Sequence, residues 1–433
     1  MRLRRFARRF EAAGIGFFTG ITVAWLVADA NYTALGAAGL FASLVYLVTR
    51  AVTPPVARHD VYLLVFLALT LRYAVAITVH DGSIAAGKGG FITGDDANYA
   101  DFSWTLAQVL RGQPITLDYS GYLYLLGTFV YLETAIFALM GPNVVVVELL
   151  NAAFGAAFVA LVCDLSRRLF EDERTSLIAG TLVAFYPSLV LWTSLNLKDS
   201  LTLLLIAIVL WLVAVFQTRQ RWWLVPATYV ALLPMESLRS YIFVGFLLII
   251  PISVALTLRR DTRARAGMTT IAIALSLLLL ITTNEGPRPL SDFDAERTAM
   301  AIGANTSFVD QTLPVRVAYV LFAPFPWSPR RALDLLAAPE MIIWYGALPA
   351  AFLTFLRRVR SWQTLAPLIL LVGGTLLVLL LAEGNVGTLF RHRAMVIPFV
   401  LILAAPAVSS LMSRFVSDSP HTTRPVEGAR SAV

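Results

Sequence analysis

The chain has 433 residues, 58% of them hydrophobic and 14% charged, with a formal net charge of +7 at pH 7 and a mean hydropathy of +0.74. A soluble domain carries about 25% charged residues, and no soluble fold has enough interior to hide so much apolar surface. The composition therefore excludes a water-soluble enzyme and places the chain in a bilayer. The positive charge follows the sides of the membrane and does not imply nucleic acid.

In chain order, the basic N-terminus Met1-Arg2-Leu3-Arg4-Arg5 precedes an apolar run with no small-residue cleavage site after it. We expect a retained helix, not a signal peptide. About 17–20 apolar residues are needed to span the hydrocarbon core as helix, because unpaired backbone amides are prohibitive there. Windows of that kind fall at 14–30, 33–49, 61–79, 144–164, 176–193, 200–216, 241–257, 267–283, 340–356, 364–382 and 394–412, with a weaker one at 222–236. The expected fold is an all-α polytopic membrane protein of about 12 transmembrane helices. Residues 1–60 form an N-terminal helix pair, 61–283 a transmembrane module with an outer loop at 80–143, and 284–339 a second outer loop. Residues 340–413 supply the last spans, and 414–433, rich in Ser, Thr, Pro and Arg, a disordered tail.

With twelve spans, the clusters Arg2–Arg9, Arg50 with Arg58, Arg167 with Arg168 and Arg174, Arg219 with Arg221, Arg259–Arg265, Arg357–Arg360 and Arg414 onward share one side. The positive-inside rule makes that side, and both termini, cytoplasmic. The expected location is the cell membrane. The apolar stretch 121–140 is left out of the spans because Glu133 sits in its middle and a span there would push Arg167 and Arg168 outside. It is expected to form a hairpin or helix along the outer surface. Val317 to Trp327 is too short and contains Pro324 and Pro326, so a re-entrant or interfacial segment is expected there. The lone cysteine, Cys163, lies in an apolar run and excludes disulfides and a cysteine metal site.

The outer loops hold the polar residues of interest. Gly94-Asp95-Asp96-Ala97-Asn98-Tyr99 leads into Phe102, Leu106, Val109 and Leu110 at helical spacing, with Asp96 expected as N-cap. Adjacent carboxylates of this kind suit a divalent cation or proton acceptance from a hydroxyl; equally, they fit a helix cap beside a solvated Asp. In the next outer turn, Lys198 is one of only two lysines in the chain. Lys198-Asp199 either caps the following helix or meets the Asp95-Asp96 loop. Glu236 and Arg239 occupy a tight outer turn, and the 284–316 loop carries Asp292, Asp294, Glu296, Arg297 and Asp310. The last outer turn runs Glu383-Gly384-Asn385 to Arg391-His392-Arg393. Its cations stand on the side that should be poor in positive charge, so they need a partner, either a phosphate held by guanidinium forks or nearby acids and lipid headgroups.

The order of these features resembles the GT-C membrane glycosyltransferases, and among them bacterial relatives of the protein O-mannosyltransferases and lipid A aminoarabinose transferases. The resemblance rests on Leu71-Arg72, Asp95-Asp96, the helix end Cys163-Asp164-Leu165-Ser166-Arg167-Arg168-Leu169-Phe170, Tyr186-Pro187 and Lys198-Asp199, over residues 61–260. The final Arg-His-Arg turn is similar to many bacterial members. It departs from the family in having Asp-Asp where Asp-Glu is frequent and in lacking a Pro-Pro element after Tyr122.

The resemblance implies sugar transfer from a polyprenyl-phosphate donor to a glycan, lipid or protein acceptor on the outer face, among membrane lipids. It implies catalytic roles for Asp95 or Asp96 and for Asp199. It implies substrate binding by Lys198, Glu236, Arg239, Arg391, His392 and Arg393, with Asp95 and Asp96 the ligands of any divalent cation. The alternative reading is a flippase, transporter or polymerase of lipid-linked saccharides, which intramembrane ionisable residues such as Glu148 and Asp164 would mark.

Overall fold

In the computed structural model, residues 2–114, 126–257, 262–283, 307–327 and 332–417 are described, with residues 292, 295 and 297–299 in addition. The expected tail, Asp294, Glu296 and residues 115–125 lie outside them. The chain is all-helical: among the described residues there is no strand, and one isolated antiparallel bridge joins Ser307 to Asn385.

Among the described residues, eight helices are long and apolar enough to cross a membrane. They are α2 (Tyr32–Val52), α3 (Arg58–Ala85), α6 (Val144–Phe170), α9 (Asp199–Arg219), α12 (Ser240–Thr257), α15 (Ala332–Arg357, from Pro339), α16 (Trp362–Ala382) and α18 (Ile397–Ser417, to Arg414). The other four expected spans are helices whose apolar stretch is shorter or interrupted. α1 (Arg2–Ala28) and α13 (Thr262–Thr282) have apolar parts of Ala13–Ala28 and Ala266–Thr282. The window 176–193 is split into α7 (Glu173–Ala184) and α8 (Pro187–Trp192), because Pro187 has no amide to continue the ladder and sits at the start of the second piece. The window 222–236 is split likewise into α10 (Leu224–Leu232) and α11 (Met235–Leu238) around Pro234.

The helix at the centre is α6, which is buried along almost its whole length. Its Ala and Gly residues let neighbouring backbones approach closely, as small residues do between membrane helices. Gly155 is the clearest case: a Cβ there would sit 2.7 Å from Thr193 Oγ1 and 2.9 Å from Arg72 Nε. Arg72, on α3, is fully buried. Its Nε donates to Thr193 Oγ1 at 2.8 Å and its Nη1 to the carbonyls of Ala68 and Ala184 at 3.1 Å each. Ala184 ends α7, so this buried cation satisfies a carbonyl freed by the break before Pro187 and stands at the negative end of that helix. At the arginine-rich end of α6, Asp164 accepts from Arg168 Nε at 2.6 Å and from Trp211 Nε1 at 2.8 Å, and also pairs with Arg167.

The segment between α3 and α6 holds two helices, α4 (Gly94–Leu110) and α5 (Thr128–Met140), packed on each other. α4 buries Asp96, Tyr99, Ala100, Phe102, Ser103 and Ala107, while Val109 and Leu110 are exposed. α5 is too short to span, and Glu133 is fully buried against α4 and the 193–198 turn. Its carboxylate accepts from Ser103 Oγ at 3.0 Å and from Asn196 Nδ2 at 2.8 Å. The expected interfacial segment contains α14 (Leu313–Phe322), and α17 (Val386–Arg393) fills the last turn.

Candidate active site

Four chain turns that the sequence separates by up to about 300 positions meet at one end of the bundle. They are the start of α4, the α8–α9 turn, the α11–α12 turn and α17. The meeting is electrostatic. Arg391 Nη1 donates to Asp95 Oδ2 at 2.7 Å and its Nε to Asp199 Oδ2 at 2.8 Å. Arg239 Nη2 donates to the other oxygen, Asp199 Oδ1, at 2.8 Å, and its Nη1 lies 3.0 Å from His392 Nε2. His392 Nδ1 in turn pairs with Glu383. The result is a continuous row: Asp95, Arg391, Asp199, Arg239, His392, Glu383.

The local sequence explains each placement. Thr93 caps α4, and Asp96, not Thr93's neighbour in solvent, completes a reciprocal capping box. Both oxygens of Asp96 are taken: they accept from the amides of Ile92, Thr93 and Ala97 at 2.8–3.2 Å and from the Thr93 hydroxyl. Asp96 is therefore the third helical residue and not the N-cap, and it is buried. Asp95, one residue earlier, has a side chain 56% exposed and reaches Arg391. The two carboxylates serve different partners, Asp96 the backbone of its own cap and Asp95 the Arg391 guanidinium. Among the described residues no group of three or more His, Cys, Asp or Glu side chains is arranged to hold a metal.

Asp199 is fully buried at the first turn of α9, where the helix dipole favours an anion. With one guanidinium on each oxygen it is saturated, so it holds Arg391 and Arg239 side by side. Burial works against the charged form of each, but Tyr241 and Asp199 outweigh it for Arg239, and Asp199 and Asp95 for Arg391, so both are held more firmly protonated than a free arginine. The Nε of Arg239 is buried with no hydrogen-bond partner among the described residues. Lys198 stands beside this group, half-buried. Burial, reinforced by Arg239, lowers its ammonium to about 8.

His392 is kept neutral, since burial and the adjacent Arg239 lower it more than Glu383 raises it. The geometry agrees: Arg239 donates to Nε2, so the ring proton sits on Nδ1 and is given to Glu383. Glu236, on α11, is half-buried near the same turn. Arg393 does not join the row. It is fully buried, its Nη2 on Met341 Sδ at 3.1 Å and its guanidinium 5.2 Å from the Trp344 ring centre and 5.8 Å from that of Phe390. It packs the base of α17 and is turned away from the other cations.

Two residues to which the sequence reading gives no role belong to the site. Tyr99 lies one helical turn after Asp95, is buried edge-on against Phe129 at 5.3 Å between ring centres, and has its phenol raised by burial and by the Asp95 carboxylate. The i, i+4 spacing of Asp95 and Tyr99 is the signal that would have found it. Trp192, at the end of α8, places its ring 5.8 Å from the Arg391 guanidinium carbon, and its indole N–H is buried without a hydrogen-bond partner among the described residues.

A bundle of membrane-length helices carrying carboxylates and guanidiniums in one row at its end defines a multi-pass membrane protein with a charged site at one end of the bundle. Residues 128–284 match the family described as dolichyl-phosphate-mannose-protein mannosyltransferase. The match supports a membrane glycosyltransferase of the GT-C type, with mannosyltransferase-like activity. It runs from α5 through α13 and so contains Lys198, Asp199, Glu236 and Arg239; Asp95 and Arg391 lie outside it. The chain matches none of the curated proteins compared with it.

Proposed function

We propose that the chain transfers a sugar from a polyprenyl-phosphate donor to an acceptor hydroxyl or amine on the outer, non-cytoplasmic face of the cell membrane. The observation that carries this reading is that one guanidinium, Arg391, touches both the half-exposed Asp95 and the buried Asp199. A group suited to a phosphate is thereby fixed next to a carboxylate suited to a proton.

In the proposed reaction the acceptor oxygen attacks the anomeric carbon, the bond from that carbon to the phosphate oxygen breaks, and the acceptor proton passes to Asp95. The phosphate leaves with the bonding electrons. Its charge grows from one to two as it departs, and Arg391, Arg239 and Lys198 meet that growing charge. Asp199 acts through the two arginines as a positioning residue, and Asp96 through the cap of α4. The isoprenoid tail of the donor remains in the lipid beside the bundle.

The test is transfer from radiolabelled polyprenyl-phosphate mannose by the purified protein. Asp95→Asn is expected to lose transfer while keeping its thermal unfolding profile. Undiminished transfer by that variant would remove the assignment.

A further inference from the structure

A polar cavity is lined by none of the residues of this row. It has a volume of about 430 Å³ and is lined by Trp25, Asp29, Asn31, His80, Asp81 and Asn143, between the α1–α2 turn, the end of α3 and the α5–α6 turn. That volume falls within the range of small-ligand sites, about 300–1,000 Å³. The lining contrasts with the candidate active site: it contains carboxylates and amides but neither arginine nor lysine. Among the described lining residues the one group able to carry positive charge, His80, is already paired with Glu148.

The polar groups of the wall are held in place by one another. Asn143 Nδ2 donates to Asn31 Oδ1 at 2.7 Å, tying the two turns together. The indole N–H of Trp25 donates to Asp81, which fixes the ring in the wall and leaves the second Asp81 oxygen over. His80 pairs with Glu148 Oε1 at 3.2 Å, and Glu148 Oε2 behind it is buried without a hydrogen-bond partner among the described residues. Planar carboxylates and amides beside a fixed indole match the chemistry of a sugar: vicinal hydroxyls bridge to carboxylate or amide oxygens, and the apolar C–H face of a pyranose covers an aromatic ring. The wall segment at Gly89 reaches Asp95 six residues later, so the cavity is joined by a short loop to the start of α4.

We propose that this cavity is a neutral carbohydrate subsite, which holds part of the acceptor at a distance from the bond being formed. That it serves an acceptor rests on the transferase reading; that it binds a neutral sugar does not. The probe is methyl mannobioside, titrated into the purified full-length protein in detergent and read by saturation-transfer NMR, with mannose 6-phosphate and spermidine as anionic and cationic comparisons. Binding of the neutral disaccharide in preference to both comparisons is expected. It should weaken at least tenfold in Asp81→Asn and in Asn143→Ala, each with an unchanged unfolding profile, and persist in Arg391→Ala. Should either variant fail to fold, Asp29→Asn at the exposed rim gives the same readout. Absence of disaccharide binding, preference for phosphate or spermidine, or binding indifferent to these substitutions would overturn the proposal. Binding that holds while Asp95→Asn transfers normally would leave the subsite standing and remove the catalytic reading alone.

Discussion

Asp95 and Arg391, 296 positions apart in the chain, are joined by a 2.7 Å ion pair. The pair closes the start of α4 onto α17, and Arg391 directs a second donor to buried Asp199. In the proposed reaction the donor phosphate would meet a guanidinium that is already oriented and would need only to displace the exposed carboxylate from it.

The two adjacent acids should separate cleanly on substitution. Asp95→Asn removes a proton acceptor from an exposed position, so transfer should fall by about 10²–10⁴-fold with thermal stability unchanged. Asp96→Asn weakens the capping box instead and should cost about 1 kcal/mol of stability, with a smaller loss of rate. Steady-state transfer and thermal unfolding measured on both variants check the split. Equal rate losses would mean that the two carboxylates act as one unit.

Asp199 is the group on which both arginines depend. Removing one partner from a buried pair costs about 3–5 kcal/mol, so Asp199→Asn should lower the unfolding temperature markedly and raise the apparent KM for donor. Arg391→Lys keeps the charge but loses the fork that reaches Asp95 and Asp199 together. Its kcat/KM for donor should fall about tenfold or more. A silent Arg391→Lys would show that only charge is needed there.

Lys198 gives the site a pH dependence. Its ammonium, lowered to about 8 by burial and Arg239, is charged below that pH and neutral above it. Donor binding that uses this charge should therefore weaken as pH rises through about 8, seen as a rising KM. In Lys198→Arg, which stays protonated, the rise should disappear. Initial rates over a donor titration on either side of that pH decide the matter.

Much of the fold was legible because apolar runs of helical length admit few other structures in lipid. The four expected spans with shorter or broken helices were harder to read: Pro187 and Pro234 interrupt runs whose hydropathy alone is continuous. The loops that build the site were also legible, since Asp95, Lys198, Asp199, Arg239 and Arg391 are polar groups in an otherwise apolar chain. Which of two neighbours would face the site was not read, although the signals were present. Thr93 three residues before Asp96 is a capping-box spacing, and it commits Asp96 to the backbone. Arg391 and Arg393 stand two apart on a helix, so they cannot share a face; reading that segment as a turn hid this. The Glu133–Asn196 and Arg239–His392 contacts join residues 63 and 153 positions apart, and nothing local announces such pairs.

Glu133 provides a test of how the first outer loop is fixed to the bundle. Burial raises its carboxyl from 4.5 to about 8, against the opposing hydrogen bonds from Asn196 and Ser103. The folded chain thus holds a proton that the unfolded chain releases near 4.5. The stability from this group is fully present below about 4.5, declines as pH rises, and is exhausted above about 8. Glu133→Gln keeps a neutral side chain of the same shape at every pH. Thermal unfolding of the two proteins in detergent should show the Gln variant gaining on the wild type between those two pH values and then holding a constant lead. A difference that does not change with pH would mean that Glu133 is ionised where it lies, with its charge met by groups other than Ser103 and Asn196.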